Sequence, residues 1–335
     1  MSQLRLNPLN GRWVTIVAQR AERPYDFAPR TQQVEADPSL ACPFCPGSED
    51  ATPPALETQG RDGSWQVRVV RNRYPAFEGE DSMSVHNLGP VHVQADASGI
   101  HEVIVLSPDH SGSWKDLDDD ASAMVMAALR NRMAEQARHA NIRYTQAIVN
   151  QGREAGASLT HPHGQLLGMP FVPGEIVDEE RAFARFDGGC ILCVTAEAEL
   201  ADGSRVVTAN DDVVVLCPFW SGTPYEMLII PTRHEGHLYD SPEADLAAVG
   251  RAIRDALTMQ ADLLGDVAYN LVFHTAPHQH DNAFHWHAHL WPKLVTVAGF
   301  ERGTGVMINI APPEDAAAEL RSVARTDLRG LVRTH

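Results

Sequence analysis

The sequence predicts an α+β fold built from two copies of one unit, and three observations support this prediction. Two similar segments, EVIVLSPDH (102–110) and EMLIIPTRH (226–234), begin 124 residues apart. The same offset places HPHGQ (161–165) on HWHAH (285–289). Each copy also carries a CxxC pair upstream. A repeat of this kind fixes the architecture before single elements are assigned.

Each unit is predicted to run strand, histidine turn, helix, strand and histidine strand. Segment 118–139 has acidic residues at its start and apolar residues at helical spacing, and a second such segment opens at 241–243. The stretches YTQAIVN (144–150) and YNLVFH (269–274) are typical of strands. Two such units are expected to pair their sheets around one large core.

The repeat divides the chain into two predicted halves, 1–180 with the HPHGQ motif and 181–335 with a second metal-binding region. The spacing from CxxC to the histidine turn is longer in the first half. Segment 79–99 lacks clear periodicity and is predicted to be the loop that absorbs this insertion. An amphipathic stretch at 313–332 is predicted to pack as a helix.

Composition excludes several classes of protein. The chain has 335 residues, with 44 acidic side chains against 27 Lys and Arg, and a formal charge of -17, which argues against a nucleic-acid partner. No run approaches the ~18 apolar residues of a membrane span, and the N-terminus lacks the pattern of a signal peptide. We therefore expect a cytoplasmic protein with no membrane partner.

Five cysteines, two CxxC pairs plus Cys217, indicate metal binding more than a disulfide framework. One predicted zinc site takes two thiolates and two imidazoles from the first half: Cys42, Cys45, His110 and His161. Four protein ligands leave no position for a catalytic water, so the expected role is structural. The alternative is that these are free thiols and scattered polar histidines.

The repeat predicts a second zinc site of the same composition at Cys190, Cys193, His234 and His285. Three more histidines then remain in the second half, and with an acidic residue they can hold a further metal: Glu179, His274, His287 and His289. A hydrogen-bonded pair of core histidines is the alternative for this third set.

HPHGQ is the most informative motif. Pro162 disfavours a helical conformation at His161, so the segment is predicted to be extended with His163 and Gln165 on one side. The stretch NQGREAGAS (150–158) just upstream is rich in residues whose amides can approach a phosphate. His163 is therefore the candidate nucleophile for phosphoryl or nucleotidyl transfer.

Gln165 has no acidic proton, but its amide can hydrogen-bond a non-bridging phosphoryl oxygen. No acid is needed if the leaving group is itself a phosphate, so the predicted reaction is a reversible exchange at a diphosphate. Two alternatives stand beside this one. His163 can be a supporting residue only, and His287 occupies the equivalent position in the second half, although it lacks a glycine-rich segment upstream.

Several motifs together resemble the galactose-1-phosphate uridylyltransferase family of the histidine triad superfamily, over nearly the full chain: NPLNGRWVTIVAQRAERP, CPFC, RNRYPAF, SPDH, HPHGQ and HWHAHLWP. The resemblance implies duplicated histidine-triad-like units with antiparallel sheets and flanking helices. It implies that UMP passes between UDP-glucose and galactose 1-phosphate through a uridylyl-histidine, which releases glucose 1-phosphate and yields UDP-galactose. A homodimer is typical of the family.

The resemblance also implies roles for particular residues. His163 matches the nucleophile and Gln165 the glutamine that contacts the phosphoryl group. Six further residues match the family's contacts to the nucleotide and the diphosphate: Arg20, Arg23, Asn72, Asn150, Gly156 and Ser158. For Arg20 and Arg23 the alternative is an ordinary surface ion pair. Cys42, Cys45, His110 and His161 match the family's zinc site; Glu179, His274, His287 and His289 match a position that holds iron in some members.

Segment 298–309, AGFERGTGVMIN, aligns loosely with the hexose-binding segment of the family, with Phe300 and Glu301 as counterparts of its sugar contacts. Its FERGTG form and the second Cys2His2 set also resemble ADP-glucose phosphorylases, in which inorganic phosphate accepts the nucleotidyl group. HPHGQ and ELADGSR (199–205) favour the transferase. The phosphorylase stays open as the alternative function, together with a histidine triad hydrolase that uses water as the acceptor. A non-catalytic, zinc-stabilised nucleotide-binding module is the alternative from another class.

Overall fold

A computed structural model describes residues 2–18, 42–280 and 283–324. In this part of the chain the strands are β1 (Gln3–Leu6), β2 (Trp13–Ile16), β3 (Ala55–Arg61), β4 (Ser64–Arg71), β5 (Val85–Asn87), β6 (Val93–Ala95), β7 (Ile100–Val105), β8 (Tyr144–Gln151), β9 (His163–Met169), β10 (Val206–Ala209), β11 (Val213–Leu216), β12 (Met227–Pro231), β13 (Tyr269–His274), β14 (His287–Pro292) and β15 (Met307–Asn309). The α-helices are α1 (Asp119–Gln136), α2 (Gly174–Arg185), α3 (Ile191–Asp202), α4 (Glu243–Leu264), α5 (Gly299–Thr304) and α6 (Pro313–Ser322).

One ten-stranded sheet carries most of the strands, in the order β10-β11-β12-β14-β13-β8-β9-β7-β4-β3. All neighbouring strands in it are antiparallel. The repeat is visible in this order, because β12, β14 and β13 of the second copy mirror β7, β9 and β8 of the first. The predicted duplicated α+β class with antiparallel sheets and flanking helices is confirmed.

The two copies join edge to edge through β8 and β13, where Asn150 lies opposite Asn270 and Val149 opposite Leu271. Each copy contributes one long helix, α1 or α4, to the same face of the sheet, and the two helices pack against each other. Alternate strand residues such as Leu166 and Leu271 point into the core beneath them. The opposite face packs on two smaller apolar clusters, which take up strand residues such as Val103 and Leu228, and it also carries His163 and Gln165.

The long helices begin where their sequences indicate. The Asp118 side chain accepts a hydrogen bond from the Ala121 N–H, which satisfies one of the unpaired amides of the first turn of α1. Pro242 occupies the corresponding cap position of α4. In the described part of the chain, no helix has the length and hydropathy that a membrane crossing requires.

The prediction of a plain loop at 79–99 was wrong. Gly79 and Gly99 pair with each other, and between them β5 and β6 form a two-stranded hairpin. Every residue of both strands is exposed. Val91, Val93 and Ala95 do alternate with polar residues, but each strand has only three residues, which is shorter than the runs from which a strand is recognised. The C-terminal helix was predicted for 313–332; α6 covers Pro313–Ser322, and residues 325–332 lie outside the described residues.

Candidate active site and metal centres

His163 is the first residue of β9, and its ring is held in one orientation. Nδ1 lies 2.8 Å from the main-chain oxygen of His161. A carbonyl oxygen can only accept, so Nδ1 carries the proton and Nε2 keeps its lone pair. Burial lowers the pKa of His163, which favours the neutral ring. The side chain, 7% exposed, thus presents an unprotonated nitrogen.

Four side chains from distant segments meet beside His163: Cys42, Cys45, His110 and His161. The Cys45 Sγ lies 3.3 Å from His110 Nδ1 and 3.7 Å from His161 Nδ1, and Cys42 Sγ lies 3.7 Å from His161 Nδ1. A tetrahedral zinc with ordinary bond lengths separates sulfur and nitrogen ligands by about 3.6 Å. The cluster therefore fits a metal ion of this size and geometry.

His161 connects this cluster to His163. The Nε2 of His161 donates to the main-chain oxygen of Ser107 at 2.8 Å, which leaves Nδ1 unprotonated and directed at the thiols. The carbonyl of the same residue accepts the Nδ1 proton of His163. A metal bound by the His161 ring would therefore also fix the acceptor that orients His163.

The second copy assembles an equivalent cluster from Cys190, Cys193, His234 and His285. The Cys193 Sγ lies 3.6 Å from His234 Nδ1 and 3.5 Å from His285 Nδ1, and Cys190 Sγ lies 3.6 Å from His285 Nδ1. These separations match the same tetrahedral spacing of about 3.6 Å. The structure thus contains two Cys2His2 clusters that can bind metal.

A third cluster is buried between α2 and the second histidine strand: Glu179, His274, His287 and His289. The His274 Nδ1 lies 2.9 Å from a Glu179 carboxylate oxygen, and His287 Nε2 lies 3.8 Å from the other. Two ring nitrogens, His287 Nε2 and His289 Nδ1, are buried without a hydrogen-bond partner. Buried ring nitrogens without a hydrogen-bond partner, beside a carboxylate, are a donor set that fits a metal cation.

His163 and His287 occupy equivalent positions but different surroundings. His287 repeats the bond to the residue two before it, with Nδ1 2.9 Å from the His285 main-chain oxygen. Its Nε2, however, faces Glu179, and the whole side chain is inaccessible. Burial is the largest influence on the ring and lowers the pKa of His287 to about 3. A substrate can reach His163 more readily than His287.

Asn150 lies beside His163 on the neighbouring strand, since Val149 pairs with Gly164 in the register of β8 and β9. The Asn270 side chain donates to the Asn150 side-chain oxygen at 2.7 Å and to the Ala155 main-chain oxygen at 2.9 Å. The second copy therefore orients Asn150 and secures the loop after it. Sequence reasoning missed this role of Asn270, because the contact crosses between the two halves of the chain.

Gly156 and Ser158 are exposed in the loop between β8 and β9. Gly156 has φ +91°, a conformation that residues other than glycine rarely adopt, and a Cβ built on it would lie 4.0 Å from the Asn150 amide nitrogen. The loop therefore exposes main-chain atoms next to Asn150, the residue that lies beside His163. This matches the glycine-rich segment on which the sequence prediction of a phosphate loop rests.

Gln165 shares the His163 face of β9, and His101 of β7 contacts it. The His101 Nε2 lies 2.8 Å from the Gln165 side-chain oxygen, and Asn72 Nδ2 lies 3.1 Å from the same nitrogen. His101 is buried, and burial lowers its pKa. Sequence reasoning missed His101, although its strand is buried from His101 to Val105.

Phe44, within the first CxxC pair, was also missed. Its ring centroid lies 5.5 Å from that of His163 and 6.0 Å from that of His161. An aromatic residue between two metal-binding cysteines therefore also packs on the candidate nucleophile.

Phe300 and Glu301 lie on α5, and the side-chain hydrogen bonds of this helix in the described structure stay within residues 297–306. Phe300 is exposed, while Glu301 accepts from the Ala298 N–H. The structure therefore records no polar contact between them and the His163 strand. Arg20 and Arg23 lie outside the described residues.

Comparison with known proteins relates both halves to one family. The N-terminal domain model of galactose-1-phosphate uridyl transferase matches residues 1–173, and the C-terminal domain model matches residues 177–329. An ADP-glucose phosphorylase from Arabidopsis thaliana is 32% identical, with 97% of this chain and 93% of that protein covered. A galactose-1-phosphate uridylyltransferase from Thermotoga maritima is 28% identical, with 96% and 98% covered.

Among solved structures, an ADP-glucose phosphorylase from Arabidopsis thaliana with bound ADP-glucose superposes with a TM-score of 0.82 at 29% identity. The superposition covers 97% of this chain and 100% of that one. The two domain models together span nearly the whole chain. The chain therefore belongs to the galactose-1-phosphate uridyl transferase family, a family of nucleotidyltransferases.

Proposed function

We propose that this chain transfers UMP from UDP-glucose to galactose 1-phosphate through a covalent uridylyl-His163 intermediate. The observation that carries the proposal is the His163 ring, whose Nδ1 proton is committed to the His161 carbonyl at 2.8 Å so that Nε2 keeps a lone pair. Imidazole is a good nucleophile at phosphorus and, once substituted, a good leaving group.

The reaction consists of two displacements. In the first, Nε2 attacks the α-phosphorus of UDP-glucose, a new N–P bond forms, and the bond to the bridging oxygen breaks. The electron pair leaves with glucose 1-phosphate, which is stable as an anion and needs no proton. The positive charge on the substituted ring is stabilised by the Nδ1–H bond to the His161 carbonyl.

In the second displacement, a phosphate oxygen of galactose 1-phosphate attacks the same phosphorus. The N–P bond breaks, UDP-galactose leaves, and the His163 ring returns to its neutral form. Because each step exchanges one phosphoryl substituent for another, the overall reaction is reversible.

The residues around His163 support binding of a nucleoside diphosphate. Gln165 would hydrogen-bond a non-bridging oxygen of the attacked phosphoryl group, where charge changes in the transition state. The remaining proposed nucleotide and diphosphate contacts are Asn72, Asn150, Gly156, Ser158, Arg20 and Arg23. Support for the loop residues comes from the exposed main chain at Gly156 and the secured orientation of Asn150.

The donor sets support zinc in the two Cys2His2 clusters and zinc or iron in the Glu179 cluster. Cys42, Cys45, His110 and His161 would hold a closed, tetrahedral zinc of structural function. With the His161 ring held in this way, the His161 carbonyl lies where it accepts the Nδ1 proton of His163 and orients that ring.

Phe300 and Glu301 are proposed to contact the hexose, and the family resemblance suggests that a homodimer brings them to the site of the partner subunit. The exposure of Phe300 at the surface of α5 is consistent with a contact outside its own chain. The oligomeric state is measurable by light scattering after gel filtration.

A second candidate is a nucleotide-sugar phosphorylase that uses ADP-glucose and inorganic phosphate. It is favoured by the 32% identity to the Arabidopsis thaliana ADP-glucose phosphorylase and by the assembled second Cys2His2 cluster. The intermediate would again be on His163, with an adenylyl group in place of uridylyl.

Intact-protein mass spectrometry separates these candidates. The purified protein is incubated with UDP-glucose or with ADP-glucose alone, and the adduct is then exposed to galactose 1-phosphate or to phosphate. A uridylyl adduct removed by galactose 1-phosphate and absent from His163→Ala is the expected result. An adenylyl adduct removed by phosphate would assign the phosphorylase, and an adduct that persists in His163→Ala would refute His163 as nucleophile.

A further inference from the structure

We propose that His101 is a positioning residue that holds the Gln165 amide with its oxygen turned to His101 and its NH2 group turned to the reacting phosphoryl group. This inference rests on the proposed function of His163 and Gln165. It follows from hydrogen bonds that link three separate segments: the loop after β4, strand β7 and strand β9.

The chain of bonds starts at a main-chain donor whose direction is fixed. The Ala76 N–H lies 3.0 Å from His101 Nδ1. A main-chain N–H can only donate, so Nδ1 accepts and has no proton. An imidazole that accepts at Nδ1 carries its single proton on Nε2. Burial, which lowers the pKa of His101, also disfavours the doubly protonated ring.

The other neutral tautomer is disfavoured. Asn72 Nδ2 lies 3.1 Å from His101 Nε2, and since the Asn72 oxygen accepts from the Tyr74 N–H, this nitrogen can only donate. Moving the ring proton to Nδ1 would set two donors against each other at Ala76. The single lone pair of Nε2 would then go to Asn72, and Gln165 would lack a full partner in either orientation of its amide. The assigned tautomer satisfies Ala76 and Gln165 and leaves only the Asn72 contact unfavourable.

The Nε2 proton of His101 therefore determines the orientation of Gln165. The Gln165 side-chain oxygen accepts this proton at 2.8 Å. If the Gln165 amide were rotated by half a turn, its NH2 group would face the Nε2–H group of His101. No hydrogen bond from the Gln165 amide nitrogen is recorded in the described structure. Both amide protons are thus available to a ligand on the His163 face of β9.

This orientation matters for the chemistry of a phosphoryl group. The non-bridging oxygens of an attacked phosphorus carry negative charge and are pure acceptors, so an amide NH2 stabilises them and an amide oxygen repels them. A free glutamine amide samples both orientations, since its oxygen and nitrogen differ little in size. His101 removes the unproductive one before substrate binds.

Nuclear magnetic resonance tests the tautomer directly. Full-length protein labelled with 15N-histidine is compared with His101→Phe to identify the His101 signals in long-range 1H–15N spectra. The expected pattern is a protonated Nε2 and an unprotonated Nδ1 at neutral pH. A protonated Nδ1, or a ring carrying both protons, overturns the proposed orientation irrespective of the donor used.

Single-turnover adduct formation tests the effect on the reaction, with UDP-glucose or ADP-glucose, whichever labels the wild type. We expect His101→Phe to slow adduct formation by about tenfold or more, and Gln165→Ala by about a hundredfold. If His101 acts through Gln165, the double variant is no slower than Gln165→Ala. Multiplied effects in the double variant would overturn the proposal.

Two further variants separate positioning from folding. His101→Gln can again donate to the Gln165 oxygen and should recover part of the rate lost in His101→Phe. His278→Phe removes another buried histidine, bonded to Thr145 Oγ1 at 2.9 Å, and should lower the melting temperature without slowing adduct formation. All rates are calculated per mole of folded, metal-loaded protein.

The outcomes distinguish this inference from the proposed function. Absence of any adduct in the wild type would refute both. An adduct that forms in the wild type and equally fast in His101→Phe would refute the role of His101 alone.

Discussion

His163 donates its Nδ1 proton to the main-chain oxygen of His161 across 2.8 Å, while the His161 ring points into the first Cys2His2 cluster. The candidate nucleophile and the candidate metal centre therefore share one residue. A change that loosens the cluster should also disturb the ring of His163, although none of the cysteines contacts a substrate in the proposed reaction.

Cys42→Ser is expected to remove about one metal ion per chain and to lower the melting temperature. The free energy of metal binding would no longer offset the conformational entropy that is lost when the segment around Cys42 is ordered. Turnover should fall as well, since the His161 carbonyl is less firmly held. Metal analysis by plasma mass spectrometry and thermal unfolding measure both effects.

Cys217→Ser is the matched control, since this buried cysteine belongs to none of the metal clusters found in the described residues. It should keep the metal content of the wild type. Equal metal content in Cys42→Ser and wild type would contradict the assignment of the cluster.

Arg132→Met is expected to destabilise the fold by about 3 kcal/mol. The Arg132 guanidinium on α1 makes two bonds, of 2.6 and 3.0 Å, to the Glu102 carboxylate, and Glu102 is only 2% exposed. Removing the arginine leaves a buried carboxylate without its partner. Urea unfolding gives the free energy of unfolding.

The comparison variant is Arg138→Ala, which breaks an exposed ion pair with Glu135. The two side chains are 77% and 43% exposed, so solvent screens the pair and the expected loss is below about 0.5 kcal/mol. Similar losses in both variants would show that burial of Glu102 is not what makes the Arg132 pair important.

Gly164→Ala is expected to cost about 1 to 3 kcal/mol and to slow adduct formation. A Cβ at this position would lie 2.8 Å from the Ile148 main-chain oxygen and 3.0 Å from Ile104 Cγ2. Strand β9 would have to shift, and His163 would shift with it.

Gly174→Ala serves as the control, because a Cβ there has nothing within 4 Å. It should leave both stability and rate near those of the wild type. Wild-type stability and rate in Gly164→Ala would disprove the close packing of β9 against its neighbours.

Asn270→Ala should raise the KM for the nucleotide-sugar donor by roughly tenfold, the equivalent of about 1.4 kcal/mol of lost binding. Its side chain donates to the Asn150 oxygen and to the Ala155 carbonyl, so its loss frees both the Asn150 amide and the loop. Steady-state kinetics provide the measurement.

Asn270→Asp is the sharper variant, because a carboxylate would face those same two oxygens and repel them. Its KM should exceed that of Asn270→Ala. The role of Asn270 would be rejected if both variants kept the KM of the wild type.

The sequence by itself determined the duplicated α+β architecture and the composition of the metal clusters. Amphipathic periodicity and capping residues are local, so α1 and α4 were recognisable from single segments. The CxxC pairs are local signals as well, and the internal repeat assigned the histidines of the second cluster from those of the first. The extended form of HPHGQ followed from Pro162, and the structure has β9 beginning within it.

Only the tertiary structure decided how these parts face one another. His101 contacts Gln165 from a neighbouring strand, and Asn270 reaches Asn150 and the following loop from the other half of the chain. The exposed hairpin of β5 and β6 was missed because each of its strands has only three residues. Hydrogen bonds between distant segments depend on strand order and register, which packing of the whole core fixes and no single segment encodes.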